Sequence, residues 1–92
     1  MSTTVSRSFT ITNVKGLHAR ASAKLSELVE EYDADAEVSK DGLSVMADSI
    51  MGLLMLGASI GTSIDVETSG PAAEKLMDAI EALIADRFGE DM

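Results

Sequence analysis

Lys15-Gly16-Leu17-His18-Ala19-Arg20 is the stretch at which the hydrophobic period of the chain changes. Before it, residues 5–12 alternate between apolar and polar types, as in a half-buried strand. After it, residues 19–32 carry apolar side chains at helical spacing. The stretch also contains the only histidine, so the sequence predicts a strand, a turn and a helix that begins beside His18.

Two further alternating runs lie on either side of Asp41-Gly42, a dipeptide typical of tight hairpin turns because glycine tolerates positive φ. Residues 34–39 and 43–47 therefore predict an antiparallel pair of strands. Residues 64–68 alternate in the same way and predict a fourth strand. In the first strand Arg7 interrupts the apolar face, which favours a position near the edge of the sheet.

Two more helices are predicted downstream of the hairpin. Asp48 and Ser49 are both good N-caps for the apolar run at residues 50–56. Ser69-Gly70-Pro71 leads into a last helix, with the proline in its first turn. The order strand, helix, strand, strand, short helix, strand, helix predicts a two-layer α+β domain with helices on one face of the sheet.

Composition limits the function classes. Ninety-two residues predict a single domain, residues 1–92, and the net charge of −9 argues against a nucleic-acid partner, because phosphate contacts need clustered Lys and Arg. Without cysteine there is neither a disulfide nor a thiolate metal site. No apolar run is long enough to insert into a membrane, and the first residues do not resemble a signal peptide, so the cytoplasm is the expected compartment. Residues 90–92 predict a short acidic tail.

His18 has three possible chemical roles. A metal site needs further ligands, and there is no cysteine or second histidine, so no metal is expected. A catalytic triad needs a serine held in a pocket, whereas Ser22 and Ser26 follow on the helix itself. The remaining role is a nucleophile that accepts a group and hands it on. A solvent-exposed capping histidine without function is the alternative that the residues leave open.

The start of the helix favours the nucleophile. The first amides of a helix lack intrahelical partners and, with the helix dipole, attract anions. A phosphoryl group on His18 could lie against the backbone amides of Ala19 and Arg20, and the Arg20 guanidinium could add a charge-assisted hydrogen bond. Gly16 would allow the sharp turn that exposes the ring. The sequence lacks a glycine-rich nucleotide loop, so no cofactor is expected and the donor and acceptor would be other proteins.

The run Ile50-Met51-Gly52-Leu53-Leu54-Met55-Leu56 is apolar on nearly every side. A domain of this size can hardly bury all of it, so part of the run is expected at the surface, where an apolar patch marks a contact site. A wholly buried helix is the alternative. In a phosphoryl carrier, residues 50–56 would be the surface that docks partner proteins.

Gly16-Leu17-His18-Ala19-Arg20 resembles the phosphorylation motif of the HPr family, the histidine-containing phosphocarriers of the bacterial phosphotransferase system. Ser49-Ile50-Met51-Gly52, followed by residues 53–57, resembles the second signature of that family. The spacing between the two motifs and the order of the elements also agree, so the resemblance covers nearly the whole chain. It implies an open-faced β-sandwich in which three helices cover one face of a four-stranded antiparallel sheet.

The resemblance also implies roles for individual residues. Enzyme I, charged from phosphoenolpyruvate, would phosphorylate His18 on Nδ1, and enzyme II A domains would receive the group. Arg20 would stabilise the phosphate, which makes the chain a phosphoryl carrier rather than an enzyme. Ser49 would match the serine that an HPr kinase/phosphorylase modifies in many members. The apolar docking surface would comprise Ile50, Met51 and Leu54.

Ala21 departs from the family pattern, which usually has proline after the arginine. Proline stiffens the first turn and lacks an amide, so alanine is expected to preserve transfer with an altered rate or partner preference. Ala21 and the acidic composition favour the regulatory, nitrogen-type branch over sugar uptake. A non-catalytic interaction module docking through residues 50–56 is the alternative, although relatives of that kind have lost the histidine that this chain retains. A monomer is expected, since transient docking accounts for the apolar patch.

Overall fold

Within residues 3–92, four strands and three helices form the fold, in the order that the sequence predicts. The computed structural model describes residues 3–92. The strands are β1 (Thr4–Thr10), β2 (Asp35–Lys40), β3 (Leu43–Met46) and β4 (Ser63–Ser69). The helices are α1 (Ala19–Glu30), α2 (Ile50–Met55) and α3 (Ala73–Ala85), and a short 3₁₀ turn at Arg87–Gly89 follows α3. Within residues 3–92, no helix has the length and apolar character needed to cross a membrane.

The strands form one sheet in the order β1-β4-β2-β3, and every neighbouring pair is antiparallel. The register pairs Val38 with Val66 and Phe9 with Ile64, which brings apolar side chains together on one face. The helices cover this face, while the other face is open to solvent. The side chains on the open face are mostly polar and include Ser6, Ser8, Glu37, Asp65 and Glu67, although Met46 also lies there beside Glu37. The predicted open-faced β-sandwich is therefore confirmed.

The turn between β2 and β3 follows from its two residues. Asp41 has φ 50° and Gly42 has φ 85°, and a two-residue type I′ hairpin requires positive φ at both positions. Lys40 and Leu43 pair directly across this turn. The antiparallel hairpin predicted from Asp41-Gly42 is confirmed.

Each long helix buries one stripe of side chains against the sheet. In α1 the buried apolar residues are Ala21, Leu25 and Val29, at helical spacing. In α3 they are Ala73, Leu76, Met77, Ile80 and Ile84. Full burial of one leucine or isoleucine stabilises a fold by about 1.5–3 kcal/mol, so these stripes hold the two layers together.

Three local predictions need correction. Helix α1 ends at Glu30, before Tyr32. Pro71 lies outside the first turn of α3, because Ala72 is the N-cap and the helix begins at Ala73. The Ala72 amide donates to Asp33 O at 3.0 Å. Asp48 does not cap α2, because Ser49 is the N-cap residue and its Oγ accepts a hydrogen bond from Gly52 N at 3.0 Å.

Arg7 lies on the helix-covered face of β1, an edge strand, as its position in the sequence predicted. Its guanidinium donates hydrogen bonds to Asp78 and Glu81 of α3, each at 2.9 Å. The two carboxylates balance the charge where the sheet edge meets α3, which explains how an arginine is accommodated on an otherwise apolar face.

Candidate functional site

His18 is the N-cap residue of α1. Its backbone is extended, with φ −76° and ψ −178°, and its side chain does not cap the helix. The first intrahelical hydrogen bond runs from Ser22 N to His18 O at 2.8 Å. The amides of Ala19, Arg20 and Ala21 precede that bond, so they form the free N-terminal end of the helix. The imidazole, with 25% of its side-chain surface exposed, lies where the helix dipole favours an anion.

Gly16 brings a second loop against the segment that carries His18. Its φ is +64°, and a Cβ at this position would lie 2.4 Å from Ala58 O and 2.9 Å from Ser59 Cα. Leu17 N donates to the same Ala58 carbonyl at 2.9 Å. Only glycine allows this close approach, so Gly16 determines how the loop before His18 rests on the segment that follows α2.

Basic side chains gather at this end of α1 although the chain as a whole is acidic. Lys15, Arg20 and Lys24 are three of the seven basic residues in the sequence, and all line one surface depression together with Glu90 and Asp91. Arg20 is exposed, and no carboxylate of residues 3–92 lies within ion-pair distance of its guanidinium. The guanidinium is therefore available to an anion that approaches the helix terminus.

Glu90 contacts the histidine, which the sequence did not predict. Its Oε2 lies 2.5 Å from His18 Nε2, and its Oε1 accepts a hydrogen bond from Asn13 Nδ2 at 2.8 Å. Only 15% of the Glu90 side chain is exposed. The sequence predicts a short acidic tail at residues 90–92, but gives no sign that Glu90 packs against Asn13 and His18. A separation of 72 residues between the partners leaves no local signal in the sequence.

The surroundings of Glu90 keep it ionised. The hydrogen bond from Asn13 is the largest influence and lowers the pKa of Glu90, although partial burial opposes it. The contact with His18 and the charge of Lys15 lower this pKa further. The ordinary pKa of a glutamate is already well below neutrality, so the group beside His18 at neutral pH is a carboxylate.

An unusual backbone turn directs Glu90 towards the site. Arg87, Phe88 and Gly89 all have positive φ, at 54°, 56° and 78°. Each non-glycine residue in this region is strained by about 1–2 kcal/mol. The turn is held because Phe88 is buried and Lys24 Nζ donates to Phe88 O at 2.7 Å. The C-terminal segment thereby folds back onto the start of α1.

Helix α2 is partly buried and partly exposed, as its sequence predicted. Leu53 and Leu56 are buried, whereas Met51 and Met55 are 71% and 69% exposed. Ser49 is the N-cap, and its Oγ accepts a hydrogen bond from Gly52 N at 3.0 Å. The exposed apolar side chains of this helix are Ile50, Met51, Leu54 and Met55. Val14 and Ile60, in the two loops that meet at Gly16, are also exposed.

The potentially reactive side chains at this end of α1 differ in their hydrogen-bond partners and exposure. Among residues 3–92, no three potential metal-ligating side chains come together. The Ser22 hydroxyl donates to Leu17 O and the Ser26 hydroxyl to Asp48 O, so both are engaged by backbone carbonyls. His18, by contrast, presents a partly exposed ring at a helix terminus, where its Nε2 contacts the Glu90 carboxylate.

Known proteins resemble this chain over almost its whole length. The family profile described as the PTS HPr component phosphorylation site matches residues 5–86. The phosphocarrier protein HPr of Cupriavidus necator is 51% identical over 84 residues, which are 91% of this chain and 94% of that protein. The phosphocarrier protein NPr of Escherichia coli K12 is 40% identical over 89 residues, which are 96% of this chain and 99% of that protein.

A solved structure agrees with this assignment. HPr-C-His from Thermoanaerobacter tengcongensis matches with a TM-score of 0.91 at 33% identity, covering 96% of this chain and 99% of that one. The resemblance predicted from the two sequence motifs is confirmed. The chain belongs to the HPr family of phosphocarrier proteins of the phosphotransferase system.

Proposed function

We propose that His18 accepts a phosphoryl group from phospho-enzyme I, charged by phosphoenolpyruvate, and passes it to enzyme II A domains. The observation that carries this proposal is the placement of His18 as the N-cap of α1, with the free amides of the helix terminus beside it and the exposed Arg20 two positions later. Residues 1–92 act as one domain and as a monomer in the cytoplasm. The chain is a carrier and needs no cofactor, because the phosphoryl group arrives already activated.

The transfer follows from the geometry at the helix terminus. The lone pair of His18 Nδ1 attacks the phosphorus, a new N–P bond forms, and the N–P bond of the donor breaks with its electron pair returning to the donor nitrogen. The amides of Ala19 and Arg20 donate to the phosphoryl oxygens, and the Arg20 guanidinium adds a charge-assisted hydrogen bond. Reversal of the same steps onto an acceptor histidine completes the cycle.

Partner proteins dock on the apolar surface of α2. Ile50, Met51 and Leu54 are exposed there, and methionine adapts to more than one partner surface. The segment that follows α2 contacts the His18 loop through the bond from Leu17 N to Ala58 O. A partner that covers α2 would therefore lie beside the phosphorylated ring.

Incubation of the chain with phosphoenolpyruvate and enzyme I, read by intact mass spectrometry, tests the carrier proposal. We expect one added phosphate that is lost in acid, and a ¹⁵N–³¹P correlation that assigns it to Nδ1 of His18. Transfer onward to a sugar-specific or a nitrogen-type enzyme II A domain separates the two branches. An unmodified but folded chain, with an active enzyme I control, would instead favour the interaction module that docks through residues 50–56.

A negative charge at Ser49 is expected to slow phosphorylation of His18. Ser49 caps α2 and is exposed, so an HPr kinase/phosphorylase could reach it, and phosphate at a helix N-terminus is compatible with the fold. The charge would, however, lie beside the apolar docking surface and would lose solvation when enzyme I binds. We expect Ser49→Asp to reduce the second-order transfer rate about tenfold, which corresponds to about 1.4 kcal/mol.

Ser44→Asp is the control for Ser49→Asp, since Ser44 is an exposed serine on β3 that bonds Ser39 on the open face. It adds the same charge away from α2 and is expected to leave the rate unchanged. Equal rates for both variants would show that the charge at Ser49 does not impede docking. Circular dichroism of both variants checks that the fold is retained.

Ala21→Pro is expected to change the transfer rate by roughly threefold without abolishing it. Ala21 is buried in the first turn of α1, and its amide is one of the three that precede the first intrahelical bond. Proline fits such a position but removes the N–H. Stopped-flow transfer from phospho-enzyme I measures the effect, with Ala21→Ser as a control that keeps the amide. Identical rates for all three chains would exclude Ala21 as a tuning position.

A further inference from the structure

The two oxygens of Glu90 have separate partners. Oε1 accepts from Asn13 Nδ2 at 2.8 Å, and Oε2 lies 2.5 Å from His18 Nε2. A carboxylate has no proton to donate, so the proton in the contact with His18 must reside on Nε2. When the imidazole is neutral, its unprotonated nitrogen is then Nδ1, the atom that attacks phosphorus in the proposed function.

Asn13 holds Glu90 in this position. The Asn13 side chain is fully buried, and its Nδ2 donates to Gly16 O as well as to Glu90, both at 2.8 Å. Its Oδ1 has no hydrogen-bond partner among the described residues. Rotating the amide would bring Oδ1 against two acceptors, so only the observed orientation is favourable. Asn13 therefore leaves its buried Oδ1 unpaired, while its Nδ2 group links the Gly16 loop to Glu90.

We propose that Glu90, held by Asn13, is a positioning residue for phosphoryl transfer, which keeps His18 in the Nε2–H tautomer and balances the charge on the ring. When the Nδ1–P bond forms, the Nε2 proton stays on the ring, and the imidazole nitrogen atoms share a positive charge. The carboxylate of Glu90 accepts the Nε2–H bond throughout and stabilises that charge. This role rests on the proposed function of His18.

The pKa of Glu90 supports this role, because its lowering by Asn13 leaves the carboxylate charged over the physiological range. The carboxylate does not touch the phosphoryl group in this geometry, since it faces the nitrogen on the opposite side of the ring. A purely structural contact that fastens the C-terminal segment is the competing explanation. The two explanations differ in what happens to the tautomer of His18.

Glu90→Gln and Asp91→Asn form a matched pair of variants. Each removes one negative charge, but among the described contacts only Glu90 reaches His18. Ring ¹⁵N chemical shifts, measured at about pH 9, where imidazole is ordinarily neutral, report the tautomer. We expect a dominant Nε2–H tautomer in the original chain and in Asp91→Asn, and a mixture of tautomers in Glu90→Gln.

Phosphoryl transfer provides the second readout. We expect Glu90→Gln to accept phosphoryl from enzyme I about 10-fold to 100-fold more slowly, by analogy with the loss of carboxylate partners of metal-binding histidines, whereas Asp91→Asn is unaffected. Glu90→Asp keeps the charge on a shorter side chain and should give an intermediate rate. It also serves as the second variant if Glu90→Gln does not fold.

Unchanged tautomer and rate in folded Glu90→Gln would overturn the positioning role and leave the structural explanation. A slower rate with an unchanged tautomer would overturn the control of the tautomer and leave only the balance of charge on the ring. The tautomer is measured on the unphosphorylated chain, so failure of this inference is separable from failure of the carrier function. A chain that accepts no phosphate but shows the Nε2–H tautomer would refute the carrier function alone.

Discussion

A His18→Gln variant is expected to remain folded and to accept no phosphoryl group from phospho-enzyme I. The amide nitrogen of glutamine shares its lone pair with the carbonyl and is no nucleophile, so the loss should be complete. The His18 side chain does not cap α1 and is partly exposed, so the free energy of unfolding should change by only about 0.5–1 kcal/mol. Intact mass after incubation with phosphoenolpyruvate and enzyme I measures the first effect, and urea unfolding measures the second.

The chemistry of any remaining phosphate would identify a different acceptor. Phosphohistidine is labile in acid, whereas phosphoserine is stable, so acid treatment separates His18 from serines such as Ser49. An acid-stable phosphate on His18→Gln would lie on a hydroxyl group such as that of Ser49 and leave the carrier proposal intact. The sequence contains no second histidine, so His18→Gln has no histidine that could carry an acid-labile phosphate. Such a phosphate on this variant would therefore lie on another residue and contradict the assignment of His18.

The hydrophobic period of the sequence predicted the helices and strands, because each of them depends on residues that are only a few positions apart. The hairpin follows from Asp41-Gly42, since both residues take the positive φ that the turn needs. The cap of α2 follows from Ser49, whose hydroxyl reaches Gly52 N three residues later. His18 at the start of α1 was predictable for the same reason, because the change of period marks the helix terminus.

The remaining part of the site depends on contacts between distant residues. Glu90 and Asn13 are 77 positions apart, and no pattern of polar or apolar residues connects them. The turn that brings them together relies on positive φ at Arg87 and Phe88, which are not residue types that usually adopt it. Burial of Phe88 and the bond from Lys24 to its carbonyl enforce that conformation. Tertiary packing therefore decides this part of the site.

Gly16→Ala is expected to destabilise the fold by about 3 kcal/mol, combining backbone strain at positive φ with a steric clash. The new Cβ would lie 2.4 Å from Ala58 O, a backbone atom that has already accepted the bond from Leu17 N. Either the loop after α2 moves or this hydrogen bond breaks. For a domain of this size the expected fall in Tm is roughly 12–24 °C, since 1 kcal/mol corresponds to about 4–8 °C.

Gly57→Ala is the matched control for Gly16→Ala. Gly57 has a similar φ of +61°, but apart from its chain neighbours no atom of the described residues lies within 4 Å of the position that a Cβ would occupy. The substitution should carry the backbone strain alone, about 1 kcal/mol, so urea unfolding should separate the two variants by about 2 kcal/mol. Equal destabilisation would contradict the close approach at Gly16.

The functional effect of Gly16→Ala should exceed what its stability implies. Gly16 O accepts from Asn13, and Leu17 links the same loop to Ala58, so displacement of this loop moves His18 relative to the amides of α1. A misplacement of about 1 Å at a reacting group can slow a reaction about a hundredfold. We therefore expect the rate of phosphoryl transfer by Gly16→Ala to fall about a hundredfold, even at a temperature where the variant is fully folded. Gly57→Ala should transfer at the normal rate. A normal rate in folded Gly16→Ala would mean that the loop tolerates the shift without moving the ring, and that the contact with Ala58 serves stability alone.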